Sequence, residues 1–207
     1  MNSQGVVEKP NPSSSESAST KVSNPYISVE IKDVGLNRLR SSLLDVLATE
    51  GIEGELSSPA LHVSIAYGDC EASLPEIQEL ANAIASDGFN VRAHKFEILE
   101  GSATPFDYLV LSIDDNEGDF KDAVGKVEKR FQTRQFVNGF NRHISLLRFA
   151  KGSMDTEWAR DLVRELNASH GAVYALGRVM SLEGDSVCVY GSDRNSVCKI
   201  ACQAPIH

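Results

Sequence analysis

The sequence has no long hydrophobic run and few positive charges. No segment approaches the roughly 20 consecutive apolar residues that a membrane-spanning helix requires, and the N-terminus lacks the apolar region of a secretion signal. Lys and Arg number 20 against 29 Asp and Glu, which gives a net charge of −9 at pH 7. This balance argues against a broad basic surface for duplex nucleic acid, although a local site for one or two phosphates stays open. We expect a cytoplasmic protein, of a cell or of an infected host cell, without membrane contact.

Cysteine is scarce, with four in 207 residues. Cys198 and Cys202 have a spacing close to that of metal ligands, but they lie in a strand-like segment, and no neighbouring His or Cys pair completes a zinc set. We therefore expect reduced cysteines, no metal site and no cofactor. The length suits one domain of one or two lobes. No feature indicates an obligate protein partner, so we expect a monomer.

Two short strings stand out against this background. Leu61–Ala66 and Arg142–Leu147 each contain a His-x-Ser tripeptide within an apolar run of strand-forming residues. Side chains alternate faces along a strand, so the His and Ser of each string share one face and apolar residues take the other. A single tripeptide of this kind is weak evidence, because a lone strand histidine is usually structural. Two copies, 81 residues apart in matching contexts, predict two half-sites.

The rest of the pattern predicts an α+β duplication. Residues 1–24 are polar and partly of low complexity, which indicates a disordered tail or a linker from a larger polypeptide, and residues 25–207 form the domain. Each His strand follows one helix and precedes another, which predicts two lobes with two antiparallel sheets facing a central cleft and helices outside. The predicted elements, in chain order, are strand 26–31, helix 35–50, strand 61–67, helix 74–86, strands 91–99 and 106–113, helix 119–132, strand 141–149, helix 156–168, and strands 173–182, 186–190 and 197–202, with a turn at Gly184-Asp185.

Two imidazoles that converge on one phosphate can perform acid–base chemistry. At neutral pH one ring can be neutral and accept a proton from a hydroxyl or water, while the other is protonated and donates to the leaving oxygen. The two serine hydroxyls, two residues along each strand, can donate to the non-bridging phosphate oxygens and stabilise the developing charge. This chemistry requires no metal.

With these motifs the chain resembles the 2H phosphoesterase superfamily, whose motif is His-x-(Ser/Thr)-x, present twice. Here the motif is His62-Val63-Ser64-Ile65 and His143-Ile144-Ser145-Leu146, and the resemblance extends from about residue 26 to residue 202. It implies the duplicated LigT-like fold, with His62 and His143 as the catalytic acid–base pair and Ser64 and Ser145 as catalytic phosphate ligands.

Two further residues are candidates for substrate binding. Tyr67 and Arg148 each lie three residues past a motif Ser, near the end of a strand. Tyr67 can stack on a base, and Arg148 can pair with a phosphate. The alternative is that both are ordinary flanking residues.

The resemblance implies a metal-independent phosphodiesterase that hydrolyses or transesterifies a 2′-linked or cyclic phosphate. Its expected partner is a short oligonucleotide or a cyclic nucleotide: a 2′,3′-cyclic phosphate, a 2′-5′ oligoadenylate or a cyclic oligonucleotide. A viral antagonist of host nucleotide signalling fits the compact size and the polar tail. Two alternatives stay open: a catalytically inert nucleotide-binding or RNA-binding module of the same fold, and a structural domain in which the two strings are coincidental.

Overall fold

The computed structural model describes residues 20–86, 88–101, 104–114, 118–134, 142–174 and 180–203. The predicted helices and the two His strands occur in the predicted order, but three short strands, at 21–23, 54–56 and 71–73, were not predicted. The strands are Lys21–Ser23 (β1), Tyr26–Ile31 (β2), Gly54–Leu56 (β3), Leu61–Tyr67 (β4), Glu71–Ser73 (β5), Asn90–Glu100 (β6), Phe106–Asp114 (β7), His143–Ala150 (β8), Met180–Tyr190 (β9) and Ser196–Ala201 (β10). The helices are Val34–Thr49 (α1), Leu74–Ala85 (α2), Gly118–Arg130 (α3) and Thr156–Tyr174 (α4).

Local sequence signals explain where the first two helices start. The Asp33 carboxylate accepts a hydrogen bond of 2.7 Å from the backbone N–H of Leu36 and caps α1. Helix α2 begins with a capping box, in which Ser73 and Glu76 each accept a hydrogen bond from the other's backbone N–H. None of the described helices is long and apolar enough to cross a membrane.

Eight strands form one antiparallel sheet in the order β10-β9-β2-β4-β8-β7-β6, with β3 added to β8. The first residues of β9 also pair with β6, so the sheet closes on itself. The two predicted sheets are the halves of this sheet, and the α+β class is confirmed. The halves meet where β4 and β8 pair, at Val63 and Ile144.

The two faces of this sheet differ sharply. Val29, Val63, Leu111 and Ile144, from four successive strands, are all completely buried. They belong to a single core that also contains apolar side chains of the four helices. On the opposite face, the His and Ser side chains of β4 and β8 are only half-buried. The helices therefore pack against one face and leave the other available for a site.

The predicted turn at Gly184-Asp185 is wrong, because β9 runs without interruption from Met180 to Tyr190. Gly184 lies where β9 changes partner from β6 to β2, and its N–H donates to the carbonyl of Phe89 at 2.7 Å. A Cβ on Gly184 would lie 2.8 Å from Val29 Cγ1 and 2.9 Å from Phe89 Cβ. Glycine is needed here for close packing rather than for a turn. The strand predicted from Val173 is also wrong at its start, because α4 continues to Tyr174.

The predicted boundary of the tail needs one correction. Lys21–Ser23, assigned to the tail, form β1 and pair with β5, so ordered structure starts before residue 25. Val22 is 7 % exposed, which gives this short strand an apolar anchor. Residues 1–19 of the predicted tail lie outside the described residues.

Candidate active site

The two His-x-Ser motifs lie side by side on neighbouring antiparallel strands. Because Val63 pairs with Ile144, the antiparallel register places Ser145 beside His62 and His143 beside Ser64. The motifs are thus related by an approximate two-fold axis through this pair. His62 and His143 are then diagonal neighbours across the two strands, and in a regular sheet such residues lie about 7–8 Å apart. The two imidazoles can therefore flank a single phosphate on the half-buried face.

Each motif strand contains a β-bulge at the same position. In β4, Ser64 pairs with Ser28 and Ala66 pairs with Ile27, so Ile65 is the extra residue. In β8, Ser145 pairs with Val110 and Leu147 with Leu109, and the extra residue is Leu146. The residue after each motif Ser is therefore the bulge. The two half-sites therefore share a β-bulge as well as a sequence motif.

The bulges decide on which face Tyr67 and Arg148 lie. In a regular strand, a residue three positions past the motif Ser would point to the opposite, apolar face. With one extra residue inserted, Tyr67 pairs with Tyr26 and Arg148 pairs with Tyr108, and both return to the histidine face. The predicted binding residues thus share the face of the motifs.

In the first half-site, Tyr26 contacts the motif directly. Its hydroxyl lies 2.8 Å from Ser64 Oγ, and its ring meets the His62 ring edge-on at a centroid distance of 6.5 Å. Tyr67 stacks on one side of Tyr26 at 4.7 Å and Tyr190 on another at 5.7 Å. Burial, and then the neighbouring Tyr67, raise the pKa of Tyr26, so the phenol stays protonated.

The loop that leads into β4 orients the His62 ring. Its Nδ1 lies 3.3 Å from the carbonyl oxygen of Ala60, which can only accept, so Nδ1 carries the hydrogen in the neutral ring. The loop is held by Arg40 of α1, which donates to the carbonyls of Ser58 at 3.0 Å and Pro59 at 2.7 Å. In this tautomer Nε2 is the ring nitrogen that can accept a proton.

An ion pair lies next to His62 on the same face. Glu30 of β2 is directly opposite His62, accepts a hydrogen bond of 2.5 Å from Lys199 Nζ, and accepts one of 3.4 Å from Cys188 Sγ. Burial alone would raise the pKa of Glu30, but these hydrogen bonds outweigh it and lower the pKa. Burial, and then the carboxylate of Glu30, raise the pKa of Cys188 to about 11, so its thiol remains a donor.

The serine hydroxyl of the second half-site has different neighbours from that of the first. Ser57 donates to the backbone carbonyl of Ser145 at 2.7 Å, but within the described part of the chain no hydrogen bond to the Ser145 hydroxyl is seen. Ser112 lies opposite His143, is 3 % exposed, and its hydroxyl has no hydrogen-bond partner among the described residues. Among the described residues, no neighbouring side chain therefore anchors the Ser145 hydroxyl.

Arg148 lies at the far end of the second half-site. Its Nε donates to Glu55 Oε1 at 2.8 Å, and its guanidinium lies 4.8 Å from the centroid of the Phe106 ring. A groove of about 620 Å³ opens beside it, lined partly by Leu44 and Ile52. Among the described residues that line this groove none belongs to a motif, so Arg148 shares the face of the motifs but its groove is separate from them.

The sequence analysis missed the contribution of β2. Tyr26, Ser28 and Glu30 alternate with Ile27, Val29 and Ile31, the same polar and apolar alternation that identified the motif strands. That alternation was a usable signal for a third site strand. The contribution of Lys199, from β10, had no local signal, because only the order of the strands brings it to Glu30.

Metal-ligating groups are not concentrated in any part of the chain that the structure describes. No cluster of three or more His, Cys, Asp or Glu side chains is found in these residues. All four cysteines are free thiols in the structure, as expected.

Comparison with known proteins gives a fold match without a sequence match. No family model and no curated protein sequence matches the chain significantly. Usb1 of Kluyveromyces marxianus superposes with a TM-score of 0.53 at 17 % identity, covering 86 % of this chain and 97 % of that one. A second structure of Usb1, with uridine monophosphate, gives a TM-score of 0.52 at 16 % identity, again covering 86 % of this chain and 97 % of that one.

LigT of E. coli, in complex with 3′-AMP, superposes with a TM-score of 0.50 at 13 % identity, covering 88 % of this chain and 99 % of that one. Usb1 and LigT are 2H phosphoesterases. At these identities the likeness shows a shared fold. The resemblance inferred from the motifs is therefore confirmed at the level of the fold, which is LigT-like.

Proposed function

We propose that this chain is a metal-independent phosphodiesterase of the two-histidine type. The observation that supports this most strongly is the Val63–Ile144 pair, which brings both motifs to one place on the half-buried face. Coincidental His-x-Ser strings would have no reason to meet on adjacent strands with matching bulges.

In the proposed mechanism the two histidines have different tasks. Nε2 of His62 accepts the proton of the attacking hydroxyl or water, since its Nδ1 is already committed to the carbonyl of Ala60. His143 donates a proton to the oxygen that leaves the phosphorus. Base and acid of this kind each contribute roughly 10²–10⁴-fold to the rate.

The serines and the flanking residues bind the substrate. Ser64 and Ser145 donate to the two non-bridging oxygens and stabilise the charge that develops in the transition state. Tyr67 offers a partly exposed ring to a base, and Arg148 offers its guanidinium to a neighbouring phosphate or base. These roles fit the face on which the bulges place the two residues.

The substrate class follows from the charge of the protein and from its neighbours. A net charge of −9 disfavours long, structured RNA and favours a small ligand held at a few points. The Usb1 and LigT structures hold uridine monophosphate and 3′-AMP, which supports a nucleotide phosphate here. We propose a 2′,3′-cyclic phosphate, a 2′-5′ oligoadenylate or a cyclic oligonucleotide, acted on by a monomer in the cytoplasm. A role as a viral antagonist of host signalling stays a prediction.

A panel assay tests this function. The wild-type protein, in the presence of EDTA, is incubated with 2′,3′-cyclic nucleotides, 2′-5′ and 3′-5′ oligoadenylates, and cyclic oligonucleotides, and products are resolved by chromatography. We expect turnover of at least one 2′-linked or cyclic phosphate. His94→Ala is the matched control, because His94 is an exposed histidine of β6 outside the site. Tight binding of a panel member without product would instead support the inert binding module.

A further inference from the structure

Three hydroxyl groups form a chain that runs from the interior to the candidate site. Ser28 of β2 is 1 % exposed, and its hydroxyl is close enough to the phenol of Tyr26 to lower the pKa of that phenol. Tyr26 in turn hydrogen-bonds Ser64 Oγ at 2.8 Å. The phenol of Tyr67 lies 3.5 Å from the same Ser64 oxygen. None of these contacts to Ser64 was predicted from its motif.

We propose that Tyr26 is a positioning residue for Ser64, and that the chain Ser28–Tyr26–Ser64 orients the Ser64 hydrogen toward the phosphate. The inference deepens the proposed function and rests on it for the identity of the ligand. It concerns a residue on a different strand from either motif.

The direction of the chain follows from hydrogen-bond counting. A hydroxyl has one hydrogen to donate and two lone pairs that accept. The phosphate of an ionised phosphodiester carries no hydrogen and only accepts, so Ser64 must donate to it, and Tyr26 must then donate to Ser64. Ser28 donates to Tyr26 in the same sense. Each donation polarises the next hydroxyl, so the chain strengthens the bond that reaches the phosphate.

The packing around Tyr26 makes it suited to this task. Its ring is stacked against Tyr67 and Tyr190 and meets His62 edge-on, so few rotations are open to it. The raised pKa of the buried phenol keeps its hydrogen in place across the pH range in which a histidine pair works. A rigid, protonated donor holds Ser64 in one rotamer before the ligand arrives.

Steady-state kinetics of Tyr26→Phe, Ser64→Ala and the double variant test the proposal. Loss of one hydrogen bond predicts that kcat/KM falls roughly 3- to 10-fold in Tyr26→Phe. The double variant should be no worse than Ser64→Ala alone, because Tyr26 acts through Ser64. Tyr190→Phe removes a hydroxyl from the same stack without touching Ser64, and it should stay within about twofold of wild type.

Binding of inorganic phosphate, followed by NMR titration, separates this proposal from the proposed function. We expect the affinity for phosphate to fall by a similar factor in Tyr26→Phe, with no added loss in the double variant. Unchanged kinetics and phosphate affinity in Tyr26→Phe would overturn the positioning role, as would losses that multiply in the double variant. A wild-type protein that binds phosphate through Tyr26 but turns over no panel substrate would overturn the proposed function alone.

Discussion

The two half-sites have the same motif and the same bulge but different surroundings. Beside the first motif, β2 brings Tyr26 to Ser64 and Glu30 to His62. Beside the second, β7 brings Val110 to Ser145 and Ser112 to His143. The first half-site is therefore fixed by side-chain hydrogen bonds and a nearby ion pair. In the second, Ser57 donates a hydrogen bond to the backbone carbonyl of Ser145.

In the proposed mechanism, this difference would allow a duplicated motif to take two roles. That mechanism needs a base and an acid, and identical histidines can serve as both only if their environments differ. The tautomer of His62 is set by Ala60 from its own loop, and the neighbouring strands add different polar groups to each side. Strand order, rather than the motif itself, thus supplies the asymmetry.

The histidines provide the largest test of whether the two half-sites form one unit. His62→Ala and His143→Ala should each lower kcat by roughly 10²–10⁴-fold, since each removes one proton transfer. The double variant should be about as inactive as the worse single variant. The wild-type rate should follow a bell-shaped curve against pH, because one ring must be neutral and the other protonated.

Stopped assays and circular dichroism of the same samples check this prediction. The spectra should stay native, since both histidines are only half-buried. A variant that keeps more than a tenth of the wild-type rate would show that its histidine is not one of the two proton-transfer groups.

The two motif serines test the difference between the half-sites. Ser64→Ala and Ser145→Ala should each cost up to roughly 10²–10³-fold in kcat, as expected for one lost donor to the transition state. Only Ser64→Ala should also lower the free energy of unfolding, by about 1 kcal/mol, because it takes a hydrogen-bond partner from the buried phenol of Tyr26.

Urea denaturation of the two serine variants measures this difference, with each variant serving as the control for the other. Equal free energies of unfolding in the two variants would show that the hydrogen bond between Tyr26 and Ser64 does not stabilise the first half-site.

The ion pair beside His62 predicts a pH-dependent stability. The lowered pKa of Glu30 means that its carboxylate is favoured in the folded state, so its contribution is complete above its ordinary value of 4.5. That contribution disappears as the pH falls through the lower folded value. Glu30→Gln should therefore cost about 0.5 kcal/mol at neutral pH and nothing in stronger acid.

Thermal unfolding at a series of pH values measures this, with Glu71→Gln as the matched control. Glu71 pairs with Lys21 on the surface, where the two side chains are 60 % and 71 % exposed, so its removal should have no clear effect. A loss of stability in Glu30→Gln that grows as the pH falls would be the opposite of this expectation and would contradict the role of the ion pair.

The smallest expected effect is that of chelation. Neither half-site needs a divalent cation in the proposed mechanism, since imidazoles and hydroxyls supply every proton and hydrogen bond. Dialysis against EDTA should leave kcat unchanged, and added Mg²⁺ or Mn²⁺ should not raise it. Activity that is lost in EDTA and restored by one cation would show that the reaction depends on a metal ion. That result would contradict the two-histidine mechanism.

The sequence predicted the helices, the longer strands and the motif face because these follow from local alternation, whereas the three-residue strands β1, β3 and β5 were not predicted. The strands of His62 and His143 and the helix over 35–50 come from periodic apolar residues, which need no knowledge of distant partners. The tail boundary and the end of α4 were less accurate, since short strands and helix ends depend on what packs against them.

What the sequence did not predict is how the strands come together. The shared pair Val63–Ile144 depends on which strands are neighbours, and so does the hydrogen bond from Tyr26 to Ser64. A bulge is equally hard to predict, because Ile65 and Leu146 are ordinary apolar residues in ordinary strands. Gly184 shows the same limit: it was interpreted as a turn residue, whereas close packing requires it.

An NMR titration tests whether both half-sites hold one phosphate. Histidine side chains labelled with ¹⁵N are followed while 3′-AMP is added, with His94 as the internal reference. If they do, the resonances of His62 and His143 should move together, with a single dissociation constant and one ligand per chain, while those of His94 stay in place. Movement of only one of the two, or two separate dissociation constants, would contradict this expectation.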